Sequence, residues 1–149
     1  MALSFDWLGI AEASVSDARG ALTIVGLGQN VIQANQFPHR ENRVIIVSIL
    51  DDSGDILLPD SQLSFEMSIS APSGKTLMAN NQTISMAGIQ NPAAIPPEIE
   101  ARGFQMSVAL NLEFTEYGIH PLKVAIELVG TDNRVERVRN FYVVSPSAN

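Results

Sequence analysis

The chain has 149 residues, a net charge of −7 and no cysteine, a size that suits one domain over 1–149 able to bury about 70% of the surface its unfolded form exposes. Nine Lys and Arg against sixteen acids leave no basic surface for phosphates, which argues against nucleic acid as a partner; no stretch approaches the ~18 continuous apolar residues of a membrane span, and disulfides, thiolate metal sites and thiol nucleophiles are ruled out. Charged residues make up 17% and apolar residues 46%, where about 25% charged is usual, so part of the surface is expected to be hidden against a partner, the competing reading being a surface kept wet by Ser, Thr, Asn and Gln.

The start, Met1-Ala2-Leu3-Ser4-Phe5-Asp6-Trp7, has no basic n-region and its apolar run is broken by Asp6. It does not read as a signal peptide, and with cysteine absent a cytoplasmic location is expected. Residues 3–16 and 21–33 are rich in Leu, Ile, Val and Thr, with Ser16-Asp17-Ala18-Arg19-Gly20 between them. They predict a long β-ribbon closed by a hairpin loop, Gly20 taking a positive φ. Gly26-Leu27-Gly28 lacks the third glycine and the helix start of a phosphate-binding loop, so a bulge or close backbone packing is the expectation. A loop over 34–42 follows and carries His39.

The run Val44-Ile45-Ile46-Val47-Ser48-Ile49-Leu50 is apolar on both faces. It predicts either a central strand covered twice or a strand whose outer face meets another subunit. Asp51, Asp52 and Asp55 surround Gly54 and read as a hairpin turn, since the EF-hand spacing and its bidentate Glu are missing. Leu63, Phe65, Met67 and Ile69 then alternate with polar residues, and Ala71-Pro72-Ser73-Gly74-Lys75 marks the next turn. The long connection 87–103 holds Pro92, Pro96 and Pro97, and 96–102 allows one helical turn.

Alternation returns in Phe104, Met106, Val108, Leu110, Leu112 and Phe114, and again in Leu122, Val124, Ile126 and Leu128. A period of two puts each set on one face of a strand, the mark of antiparallel sheets with one solvated side. Glu116-Tyr117-Gly118 turns the chain between them, and Gly130-Thr131-Asp132-Asn133 closes a hairpin onto a last strand over 134–144. The fold expected is all-β: a two-sheet antiparallel sandwich, immunoglobulin-like or jelly-roll, of seven to nine strands with at most one short helix.

Gly9-Ile10-Ala11-Glu12-Ala13 through Gly20-Ala21-Leu22-Thr23-Ile24-Val25-Gly26, followed by Ala71-Pro72-Ser73-Gly74-Lys75 and Glu116-Tyr117-Gly118-Ile119-His120, resembles a family of small uncharacterised bacterial β-sandwich proteins, a domain of unknown function. The resemblance implies a bacterial or phage source and a sandwich fold, and it implies no activity. The Tyr117-Gly118-Ile119-His120 turn also resembles the tyrosine corner of immunoglobulin-like sandwiches, where a hydroxyl ties back to nearby backbone.

No catalytic, cofactor or metal signature emerges. His39 and His120 would have to meet a carboxylate to hold a metal, and no serine has a recognisable base. Phe5, Trp7, Tyr117 and Tyr142 suit a carbohydrate platform, but sandwich cores consume aromatics and core is the simpler reading. The leading expectation is a non-enzymatic structural or protein-interaction module, a subunit of a homo-oligomer or larger assembly with protein as its partner. Its expected interface is Val44, Ile46 and Ile49 on the doubly apolar strand together with Arg134, Arg137 and Arg139, the only basic cluster. Arginine on that strand also blunts an edge against unwanted pairing. The alternative is a small-ligand or carbohydrate-binding sandwich using loops 34–42 and 87–103, with an enzyme third.

Overall fold

The structure, a computed structural model, describes residues 3–18, 21–51, 58, 60–86 and 102–146. Among the described residues ten strands run in chain order: β1 (Leu3–Ala11), β2 (Ala13–Ser16), β3 (Leu22–Val25), β4 (Val31–Gln33), β5 (His39–Asp51), β6 (Gln62–Ser70), β7 (Thr76–Ser85), β8 (Arg102–Phe114), β9 (Gly118–Leu128) and β10 (Arg134–Val144). They form a three-stranded sheet ordered β1-β5-β8, a five-stranded sheet ordered β4-β10-β9-β6-β7, and a separate β2-β3 hairpin. No α-helix occurs among the described residues. The 96–102 turn falls almost wholly outside them, as does the Asp52–Asp55 stretch.

Alternation explains the strands that matter most. In β6, Leu63, Phe65, Met67 and Ile69 are buried, and their partners across the sheet, Leu128, Ile126, Val124 and Leu122 of β9, are also apolar. Such cross-strand pairs are the unit of sheet stabilisation. Phe141 and Val143 of β10 and Leu8, Ile45, Val47, Ile49, Leu112 and Phe114 of the smaller sheet join them in one hydrophobic core. The arrangement of sheets around a shared core is consistent with a β-sandwich.

The N-terminal ribbon is not formed as expected. β1 pairs antiparallel with β5, from Leu3↔Asp51 to Ala11↔Val44, and only β2 and β3 make a hairpin. β1 is apolar on both faces around Leu8–Ala11, so it gains more as a sheet member than in a lone two-stranded ribbon, which is marginal in water. Gly26 (φ 66) and Gly28 (φ 86) turn the chain after β3, and Gly28 N–H donates to Ile10 O at 2.7 Å. β4 then pairs parallel to β10, so the five-stranded sheet is not purely antiparallel. These short strands raise the number of described strands above the seven to nine expected. The 34–42 loop shrinks as well: His39 opens β5 opposite Phe114 of β8, because the strand continues for 13 residues through polar positions that alternate with half-buried ones.

Candidate interaction surfaces

The doubly apolar strand is closed within the chain. β5 lies between β1 and β8, with Ile45, Val47 and Ile49 in the core. On its other face Ile46 is 1% exposed, and Ile46 and Ser48 share a cavity wall with Trp7 of β1 and Leu22 and Ile24 of the β2-β3 hairpin. Ile46 and Ile49 therefore have no surface to offer a partner, which corrects the expectation that they form an interface. Val44 is half-buried opposite Ala11 and Ala109.

The three arginines of β10 do not form one patch, because successive residues of a strand face opposite sides. Arg137 and Arg139 share the parity of the buried Phe141 and Val143 and turn toward the smaller sheet. Arg139 Nε donates to Leu8 O at 3.2 Å, and Arg137 reaches Phe5 O at 3.5 Å with its guanidinium 5.5 Å from the Phe5 ring centre. With Gly28 N–H on Ile10 O, these donors cover carbonyls along the open edge of β1. The edge-blunting expected of arginine thus acts on β1 rather than on β10. Arg134 faces outward and pairs with Glu66 at 3.1 Å, Glu127 at 3.3 Å and Glu136 at 3.7 Å, while Lys123 pairs with Glu136 at 3.2 Å. Its hydrogen bond to Glu66 acts most strongly and raises the Arg134 pKa; desolvation comes next and lowers it, and the Glu66 charge with the bond and charge of Glu127 leave the net shift upward. A depression of about 350 Å³ over Ala125, between Glu66, Asn81, Lys123 and Arg134, is thus ringed by charges already paired to one another.

Further along this outer face lies a feature the sequence reading missed. Tyr142 of β10 pairs with Val31 of β4 on one side and Ile119 of β9 on the other, so the three side chains stand in a single row across three strands. Val31 is 52% exposed, Ile119 51% and Tyr142 37%, and Val144 extends the row along β10 on the same face, while Val138 is set apart from it by Asn140. The run Phe141-Tyr142-Val143-Val144, apolar on both faces, was the signal available. Isolated exposed apolar residues are ordinary, whereas a contiguous group marks an interaction site.

Each histidine has structural partners of its own. His39 Nε2 is 2.9 Å from Glu41 Oε1, and Arg43 donates to Glu41 Oε2 at 2.8 Å. Burial raises the Glu41 pKa, but the bonds from His39 and Arg43 outweigh it and hold the carboxyl below its ordinary range. His120 is buried against Phe114. Among the described residues no cluster of three His, Asp or Glu side chains is placed to hold a metal ion. Tyr117 does not make the local tie expected of a tyrosine corner: its hydroxyl donates at 2.8 Å to the carbonyl of Ala34, 83 residues away, and Phe37 packs edge-on against its ring at 4.6 Å. The 34–38 segment is thereby held down rather than opened as a ligand loop, and residues 87–101 lie outside the described chain.

No family model matches the chain, and no curated protein matches it in sequence. Among solved structures, the C-terminal domain of wzt is similar over 97% of this chain and 75% of that one, at 12% identity and a TM-score of 0.53. The CooA pilin subunit from enterotoxigenic Escherichia coli matches over 93% of this chain and 99% of that one, at 11% identity and a TM-score of 0.39. At such identities the first likeness speaks to the fold alone.

Proposed function

We propose that the chain is a non-enzymatic interaction module, built as a sandwich of the three-stranded sheet on the five-stranded one, that docks through the outer face of the larger sheet. The observation that carries this reading is the cross-strand row Val31–Tyr142–Ile119, continued by Val144, on a face that none of the described residues covers. The partner is a second copy of the chain. Sheets pack face to face through such apolar rows, and the charges beside the row are paired within the face, so they present no single sign to repel an identical surface.

Sedimentation equilibrium over a concentration series tests this, with wild type beside the double variant Ile119→Lys, Tyr142→Lys. Wild type is expected to populate a dimer or larger species and the variant to remain a monomer of 16.1 kDa with unchanged circular dichroism. Burying a large apolar side chain is worth about 1.5–3 kcal/mol, so each substitution should weaken association by about tenfold or more. A wild-type protein that stays monomeric at every concentration would remove self-association from the reading.

A further inference from the structure

A cavity of about 290 Å³ separates the β2-β3 hairpin from the outer face of the three-stranded sheet. The hairpin is hydrogen-bonded as a sheet only to itself, and its Leu22 and Ile24 reach the cavity yet stay half-buried. Ile46 and Ser48 of β5 and Gln105 of β8 line the opposite side. The remaining two residues come from a bulge in β1. Pairing with β5 slips between Phe5 and Trp7, so the extra residue puts Asp6 and Trp7 on the same outer face while Phe5 and Leu8 both enter the core. Gly9, opposite Ile46, then makes room for the indole: a Cβ there would lie 2.5 Å from the Trp7 ring.

The chemistry of this lining is selective. Leu22, Ile24 and the Trp7 indole line the cavity beside an exposed carboxylate, Asp6, which accepts a hydrogen bond from the Ser48 hydroxyl at 3.3 Å, and Gln105 adds an amide. No Lys or Arg of the described residues pairs with Asp6 or lines the cavity, and the chain as a whole carries −7. We propose that this cavity binds an organic cation, an alkylammonium or alkylguanidinium group, with the alkyl part against Leu22 and Ile24, the cation on Asp6, and Trp7 supplying cation–π attraction. An anion is repelled by Asp6, and a sugar would leave hydroxyls facing the aliphatic wall unpaired. The volume falls just below the roughly 300–1,000 Å³ of drug-sized sites, which suits a small amine or one basic side chain. The site is separate from the docking face and stands or falls independently of it.

Trp7 is the sole tryptophan, so intrinsic fluorescence reports on this cavity directly. The folded full chain is titrated with n-butylammonium and n-butylguanidinium, and with n-butanol and butyrate as controls, while saturation-transfer NMR detects each ligand. The expected result is a saturable change in Trp7 emission with the cations at millimolar concentration or below, and none with the alcohol or the anion. Asp6→Asn should weaken cation binding about tenfold or more, the loss of one charge-assisted bond. Gly9→Ala should shift the unliganded emission and weaken binding by displacing the ring. Blocked Gly-Lys-Gly and Gly-Arg-Gly distinguish the source: binding as tight as the free amines assigns a side chain of a protein partner, and exclusion assigns a free amine. Silence toward both cations up to about 10 mM, equal binding of n-butanol, or unchanged binding by a folded Asp6→Asn protein would overturn the proposal.

Discussion

His120 sits fully inside the core, its Nδ1–H donating to the Gly118 carbonyl at 3.1 Å and its ring edge-on to Phe114. Its Nε2 is buried with no hydrogen-bond partner among the described residues. A buried polar atom without a partner costs on the order of 1–3 kcal/mol, so the imidazole is held there by shape and by the Nδ1 bond, against the cost of Nε2. Two substitutions separate these contributions. His120→Leu keeps most of the volume and removes the orphaned nitrogen, and its urea unfolding free energy should lie within about 1 kcal/mol of wild type, since gain and loss nearly cancel. His120→Ala leaves a cavity and should cost about 2–5 kcal/mol. If both lost the same large amount, the ring nitrogens rather than the packing would be what the site needs.

The elements are joined along one side of the fold by side chains rather than by sheet pairing. β10 and β1 belong to different sheets, and Arg137 and Arg139 bring guanidinium groups to the Phe5 and Leu8 carbonyls across that seam. An open strand edge is a template for pairing with another chain, and donors placed on its carbonyls block it. The double variant Arg137→Met, Arg139→Met keeps most of the apolar stem and removes the donors. It should lose about 1–3 kcal/mol for the uncovered carbonyls, speed amide exchange in β1 more than in β6, and aggregate at lower concentration. Uniform acceleration across both strands would instead show that the arginines act on global stability. What was legible in the sequence follows the same division. Alternation exposes which side of β6, β8 and β9 is buried, because a period of two is a property of each strand alone. It says nothing about partners, so the pairing of β1 with β5 and the parallel approach of β4 to β10 were hidden. The bulge left a trace in Phe5-Asp6-Trp7-Leu8, where the apolar parity breaks. The row Val31–Tyr142–Ile119 joins three strands from distant parts of the chain, so the run Phe141-Tyr142-Val143-Val144 could signal its β10 member but not its neighbours.

At the scale of the whole molecule, the low charge density that pointed to hidden surface has two destinations. Part of the apolar excess is consumed internally: β5 is covered on both faces, by the core on one and by Trp7 and the hairpin on the other. Another part remains outside, some on the face proposed for docking and some scattered, as at Val15, Val25 and Leu27. Two copies meeting there each carry −7, so their long-range interaction is repulsive while the contact itself is apolar. These two forces respond oppositely to salt. Raising sodium chloride from about 0.02 M to about 0.5 M shortens the screening length from roughly 20 Å to roughly 4 Å, which removes the repulsion and leaves apolar burial nearly untouched. Association should therefore tighten with salt, and tighten further when sulfate replaces chloride, because sulfate strengthens burial by exclusion from the surface. An interface assembled from Arg134, Lys123 and their acidic neighbours would behave in reverse, its ion pairs exchanging across the contact and weakening as they are screened. Sedimentation at three salt concentrations decides between them: a dissociation constant that rises with salt would move the docking surface from the Tyr142 row to the charged end of the same sheet.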